Sequence, residues 1–208
     1  MLNRIGALLV CGLTALALIV GDATAKDHAK IAPITDARGP AGATVVLVRH
    51  AEKPDAGPGL SPAGEVRARN YADYFRRFQV DGRPLTFDTL VATADSKNSA
   101  RPRLTITPLS QALGLPIEHG FANADVAGMV RWLGETQQGR TVLISWHHGM
   151  MPTLLANLGV EVAPLIPGGK WPGAVFDWVI VLKFDAQGKV ADARRIVEPA
   201  AVGQAKGN

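Results

Sequence analysis

Two apolar runs constrain this chain more than any other feature: Thr44-Val45-Val46-Leu47-Val48 and Thr141-Val142-Leu143-Ile144-Ser145. Neither alternates polar with apolar residues, and each suits a strand covered on both faces at the centre of a parallel sheet. The runs also end alike. The first leads into Arg49-His50 and the second into Trp146-His147-His148-Gly149. As parallel neighbours they would bring two imidazoles and a guanidinium together beyond the carboxyl ends of the strands, where open α/β sheets bind ligands.

The remaining sequence supplies helices and further strands. Ser61-Pro62 pairs a capping hydroxyl with a proline at the first helical position, and Tyr71, Tyr74, Phe75 and Phe78 follow at helical spacing as a core stripe. Residues 87–93 read as a second strand, Asp95 or Ser96 caps a helix running to about Leu113, and Pro116-Ile117-Glu118 is a short third strand. Residues 124–137 form a helix with Val126, Met129, Val130 and Leu133 on one face, and Pro152 opens another that Gly159 ends. Residues 174–184 and 190–197 flank Asp185-Ala186-Gln187-Gly188 as a hairpin. Strands alternating with helices predict a three-layer α/β/α sandwich with a mostly parallel central sheet and one antiparallel edge.

A chain of 208 residues has room for one domain with a sizeable core. Arg4 precedes an apolar stretch over residues 5–20, and Ala23-Thr24-Ala25 offers small residues at a cleavage position, so residues 1–25 read as a signal peptide cut after Ala25. An uncleaved anchor is the rival reading, disfavoured because the stretch is short for a membrane span. Export to the periplasm or beyond is expected, with no stable membrane association after cleavage. Residues 26–42 then form a polar leader, residues 43–198 the domain and residues 199–208 a flexible tail too small and polar to pack. Cys11, the only cysteine, lies in the apolar stretch, so the mature chain has neither a disulfide nor a thiol nucleophile. The formal charge of +4 is modest and its basic residues are scattered, which argues against a nucleic-acid groove and leaves a mild preference for anionic ligands.

A third segment, Ser96-Lys97-Asn98-Ser99-Ala100-Arg101, follows the second strand and places Arg101 near the start of a helix, where it could face the same crevice. On these blocks the chain resembles the histidine phosphatase superfamily, which includes the cofactor-dependent phosphoglycerate mutases. Val46-Leu47-Val48-Arg49-His50-Ala51-Glu52 is similar to the Arg-His-Gly motif of that family, with alanine in the third position. Leu60-Ser61-Pro62-Ala63-Gly64 resembles its Leu-Thr/Ser-x-x-Gly helix start, and Arg101-Pro102-Arg103-Leu104-Thr105 with Pro108-Leu109 resembles the block supplying its second arginine. Val142-Leu143-Ile144-Ser145-Trp146-His147 resembles the strand that delivers its second histidine. The four blocks stand in the family's order over residues 44–159.

The resemblance implies a phosphoglycerate mutase-like fold and His50 as a nucleophile that carries the phosphoryl group. It also implies a phosphate cradle of Arg49, His50, Arg101 and His147, no cofactor, and a small phosphorylated molecule as substrate. Residue chemistry agrees. A neutral imidazole attacks phosphorus near neutral pH without a separate base, provided a backbone carbonyl holds its second nitrogen, and forked guanidinium donors fit phosphate oxygens. A helix beginning near residues 150–152 would add amides on the same side.

The family usually places its general acid between the second arginine and the second histidine. Asp125 is the first choice there, Glu118 the rival, and Glu135 stands too far along its helix. Glu52 and Lys53 read as a surface pair, although Glu52 could orient an arginine; His148 points away from His147 in extended backbone; His119 and His28 are solvent-facing. A metal site built from His50, His147 and His148 lacks ligand spacing. Trp146 stands where the family commonly has glycine and would narrow the pocket, while Trp171 and Trp178 are core or pocket walls. The expectation is a periplasmic, metal-independent phosphomonoester hydrolase acting through a phosphohistidine. A mutase-type phosphotransferase and a non-catalytic phosphate-binding module of the same fold are the alternatives. Export disfavours the first, and the presence of both arginines and both histidines disfavours the second.

Overall fold

The computed structural model describes residues 38–205. The expected signal peptide over residues 1–25, most of the expected polar leader and the last three residues of the tail lie outside the described residues.

The core strands are β1 (Thr44–Arg49), β4 (Thr89–Thr93), β5 (Ile117–Phe121), β6 (Thr141–Trp146), β7 (Trp178–Phe184) and β8 (Val190–Val197), in the spatial order β5-β4-β6-β1-β7-β8. The pairs β5-β4, β4-β6 and β6-β1 are parallel, whereas β1-β7 and β7-β8 are antiparallel. Only β7 therefore runs against the rest. It stands inside the edge, between β1 and β8, and not at the edge as expected.

Both faces of the sheet are covered, as the continuous apolar strands require. Val45, Leu47, Val142 and Ile144 pack with Met129 and Leu133 of α3 (Val126–Thr136) and with Leu154 and Leu155 of α4 (Met151–Asn157). Val46, Val48 and Leu143 face the other way, onto Tyr71 and Phe75 of α1 (Pro62–Arg76) and Ile106 and Leu109 of α2 (Arg101–Leu113). The three-layer sandwich is thus read directly from alternate residues of the same strands.

Local chemistry explains the element ends. Ser61 caps α1 by accepting from the Gly64 amide at 3.1 Å, with Pro62 at the first helical position as its sequence indicates. Helix α2 begins at Arg101, later than Asp95 or Ser96, because Ser96 and Ser99 bond to each other through both backbone groups and Asp95 turns its carboxylate to Arg103. It ends on Gly114 at φ +67°, a conformation glycine adopts without steric cost. A two-stranded ribbon, β2 (Gln79–Val80) and β3 (Arg83–Pro84), turns on Asp81-Gly82 with φ of 56° and 72°, the positive angles of an Asp-Gly hairpin that went unread in the sequence.

The segment after Pro199 corrects the expectation of a flexible tail. Ala200–Gly203 is a 3-10 turn whose Val202 is buried in the α1/α2 core, and Asn70 donates to the carbonyls of Val202 and Gln204 at 3.1 and 2.8 Å. One apolar side chain and a polar residue on the neighbouring helix suffice to dock a stretch whose own composition carries little signal.

Candidate active site

The pairing of β1 with β6 sets Arg49 opposite Trp146, and the His50 amide donates to the Trp146 carbonyl at 2.9 Å, continuing the ladder one step past the strand end. His50 and His147 leave the sheet together. Their rings stand 5.1 Å apart at an interplanar angle of 69°. The third component arrives from the next parallel strand, since β4 leads into the loop that opens α2 at Arg101. Thr105 joins the two, because its hydroxyl accepts from the Ala51 amide at 2.8 Å and donates to the Arg101 carbonyl at 2.7 Å.

His50 is buried, and its Nδ1 lies 2.7 Å from the Ala51 carbonyl oxygen. A carbonyl only accepts, so Nδ1 carries the proton and Nε2 keeps its lone pair. Burial, reinforced by His147, Arg49 and Arg101, holds the imidazole down at about 3 despite the bond to Ala51, so the ring is neutral across the ordinary pH range. His147 is held at about 4, by burial first and then by Arg101, His148 and Arg49.

The arginines combine an anchored end with an unspent nitrogen. Arg49 donates through Nη1 to the carbonyls of Pro172, Gly173 and Val175 at 3.2, 2.9 and 2.7 Å, and its guanidinium lies 3.8 Å from the centre of the Phe176 ring. Arg101 donates through Nη1 to the Gly57 carbonyl at 3.2 Å. Among the described residues, Nε of each is buried without a hydrogen-bond partner, a costly state for a cationic donor. Desolvation lowers Arg49 to about 10, and Arg101 shifts the same way. An anion beside these groups would relieve that cost.

The structure brings Arg49, His50, Arg101 and His147 together. It does not bring Asp125 to them: Asp125 caps α3 by accepting from the Gly128 amide at 3.0 Å, while Glu118 accepts from the Gly120 amide at 2.8 Å and Glu135 is exposed. Among the described residues, no hydrogen bond joins these carboxylates to the cluster. His119 is exposed as expected.

Several expectations are corrected. His148 does not point away: the chain turns into a 3-10 helix at His148–Met150, which ends the extended alternation and sets His148 Nδ1 3.3 Å from Arg49 Nη2. That turn also spends the Met150 amide on the His147 carbonyl, while α4 opens at Met151, within the expected start. Trp146 is fully buried in the α3/α4 core and narrows no pocket. Trp171 is core as well, its indole donating to the Val175 carbonyl at 3.0 Å, and Trp178 is half-buried with Arg195 stacked 4.1 Å over it. Glu52 pairs with Arg67 and not with Lys53.

Sequence reasoning missed the loop of residues 172–176 that cradles Arg49, because carbonyl groups carry no side-chain signature. It also missed Arg67, although Gly64, Arg67, Ala68, Tyr71 and Phe75 fall at helical spacing on one buried face and mark that arginine as inward.

No protein-family model matches the chain, and no curated protein matches its sequence. In three dimensions it is similar to the protein histidine phosphatase SixA complexed with tungstate, at 19% identity and a TM-score of 0.50, over 74% of this chain and 96% of that one. It is also similar to phosphoglycerate mutase from Bacillus anthracis, at 12% identity and a TM-score of 0.48 over 79% and 94% of the two chains. Alpha-ribazole phosphatase from Shigella flexneri matches at 15% identity and 0.48 over 79% and 100%. The likeness to the first shows the fold, the phosphoglycerate mutase-like sandwich that the four sequence blocks imply.

Proposed function

We propose that this chain is a metal-independent phosphomonoester hydrolase that works through a phosphohistidine on His50. One observation carries the reading: a neutral imidazole, fixed by the Ala51 carbonyl so that Nε2 is the free nitrogen, lies among two arginines that each keep a buried, unspent Nε. Such a site is prepared for a dianion with an electrophilic centre. Phosphoryl transfer asks mainly for positioning and charge stabilisation, which this arrangement supplies.

In the first step the Nε2 lone pair forms a bond to phosphorus as the bond from phosphorus to the leaving oxygen breaks, and that oxygen takes the electron pair and a proton. Arg49 and Arg101 hold the equatorial oxygens, and neutral His147 donates one N–H to the same group. In the second step water attacks phosphorus, the P–N pair returns to Nε2, the water proton passes to solvent and inorganic phosphate leaves. Asp125, which opens α3 beyond the end of β5, is our candidate donor of the leaving-group proton; it acts in its carboxylic acid form and leaves the step as carboxylate. The apolar stretch over residues 5–20 and the small residues after it support action outside the cytoplasm.

The test is hydrolysis of p-nitrophenyl phosphate in excess chelator, with an alkaline quench to trap labelled phosphoenzyme. Turnover with a label that is acid-labile, base-stable and absent in His50→Asn is expected. Phosphate binding without turnover or label in the wild type would refute the reading in favour of a binding module.

A further inference from the structure

Outside the cluster, four side chains, three of them buried, form a continuous polar chain. Arg67 on α1 donates through Nε and Nη2 to the Glu52 carboxylate at 3.0 and 2.8 Å, and through Nη1 to Glu198 Oε2 at 2.7 Å. The other Glu198 oxygen accepts from the Tyr71 hydroxyl at 2.6 Å. Arg67, Tyr71 and Glu198 are all buried. Burying such charges is expensive, and well-packed apolar residues often stabilise a fold equally well, so the network contributes little as a source of stability alone.

Its geometry points to another use. The Ala51 carbonyl that orients His50 belongs to the peptide plane joining Ala51 to Glu52. Glu52 is fixed at both ends: its carbonyl accepts from the Ser61 amide at 3.0 Å, and its side chain is forked onto Arg67. Helix α1 lies directly on this backbone, since a Cβ added at Gly64 would stand 2.4 Å from the Glu52 carbonyl oxygen. At the far end, Glu198 donates its own amide to the Asp177 carbonyl at 2.7 Å, next to Phe176, which covers Arg49, and near Val175, which accepts from it. One buried carboxylate is thus tied to the loop that aims His50 and to the loop that holds Arg49.

Resting on the phosphatase reading above, we propose that Arg67 and Glu198 are positioning residues that set the Ala51 carbonyl, and with it the His50 ring, against the loop that carries Arg49. Neither touches the reacting atoms. Both act through Glu52 and the 174–177 backbone.

The test compares Arg67→Met, Arg67→Lys and Glu198→Gln with the wild type in two readouts. The His50 Nδ1 proton, assigned by its loss in His50→Asn, is followed by proton NMR, and kcat is separated from KM with p-nitrophenyl phosphate. In Arg67→Met the Nδ1 resonance should shift and exchange faster with solvent, with kcat down about 100-fold, the cost of a misplacement of roughly 1 Å, and KM little changed. Arg67→Lys, which keeps the charge but not the fork, should recover part of both effects. Glu198→Gln should move both in the same direction. Should Arg67→Met fail to fold, Arg67→Lys and Glu198→Gln decide. Folded variants with an unmoved resonance and wild-type kcat overturn the proposal. The resonance needs no turnover, so a shift in a chain that hydrolyses nothing would uphold the positioning role while refuting the phosphatase reading.

Discussion

His50 and Ala51 are adjacent in sequence, yet the imidazole Nδ1 of the first donates to the carbonyl of the second at 2.7 Å, which turns the ring until its other nitrogen is the free one. The proposed nucleophile is oriented by its own backbone. Replacing His50 with Ala should therefore abolish turnover and phosphoenzyme labelling while circular dichroism stays native, because the ring stands apart from both apolar clusters of the described residues. Labelling that persists in a folded His50→Ala chain would move the nucleophile elsewhere.

The two arginines should part company under mutation. Arg101→Ala removes one preorganised donor, and kcat should drop by about 10²–10³-fold with the melting temperature nearly unchanged. Arg49→Ala should lose as much activity and melt earlier as well, since Nη1 of Arg49 also gathers three carbonyls of the 172–175 loop. Kinetics beside thermal melts give the comparison; equal melting losses would show that the loop does not depend on Arg49.

Acid should weaken the fold through the histidines. His50 and His147 are held near 3 and 4 against an ordinary 6.5, so as pH falls from 6.5 towards 4 the unfolded chain binds protons that the folded chain refuses, and stability falls. Glu198 opposes this. Burial raises it from 4.5 to about 7, so its contribution is present below about 4.5 and lost as pH rises through 7. Two imidazoles outweigh one carboxyl. Melting curves from pH 6.5 to 4 should thus fall more steeply for the wild type than for His50→Asn/His147→Asn, and equal slopes would show both rings to be solvated.

What the sequence disclosed and what it withheld divide along a physical line. Apolar runs over residues 44–48 and 141–145 and the helical stripe of Tyr71 and Phe75 announced the layers, because burial writes itself into side-chain periodicity. Arg49, His50, Arg101 and His147 were legible since each closes or follows such a run. The antiparallel place of β7, the cradle of carbonyls around Arg49 and the docking of Val202 were not, because each depends on backbone groups or distant partners that leave no local pattern. The pairing of Glu52 with Arg67 spans fifteen positions and became clear only when α1 was seen to lie on the loop.

Asp125 holds a cap and is also the candidate proton donor, and two substitutions separate these roles. Asparagine caps as well as aspartate, so Asp125→Asn should keep the melting temperature while slowing a sugar phosphate far more than p-nitrophenyl phosphate, whose leaving group barely needs a proton. Asp125→Ala should lose about 1 kcal/mol of stability besides. An unchanged ratio of the two rates in Asp125→Asn would remove Asp125 from proton transfer, and Glu118→Gln is the control expected to leave that ratio alone.

The strand that delivers His50 is the first of the sheet to be synthesised, and both of its partners, β6 and β7, come far later, from residues 141–146 and 178–184. A nascent chain therefore carries its proposed nucleophile long before the flanking strands can hold it. Pairing over such sequence distances is slow to find, and until β6 and β7 arrive His50 lacks both the strands that flank it and His147. Chemical competence consequently arrives with the C-terminus. On the mechanism proposed above, a chain that still lacks β6 and β7 would be inert by topology, without needing an inhibitor to keep it so.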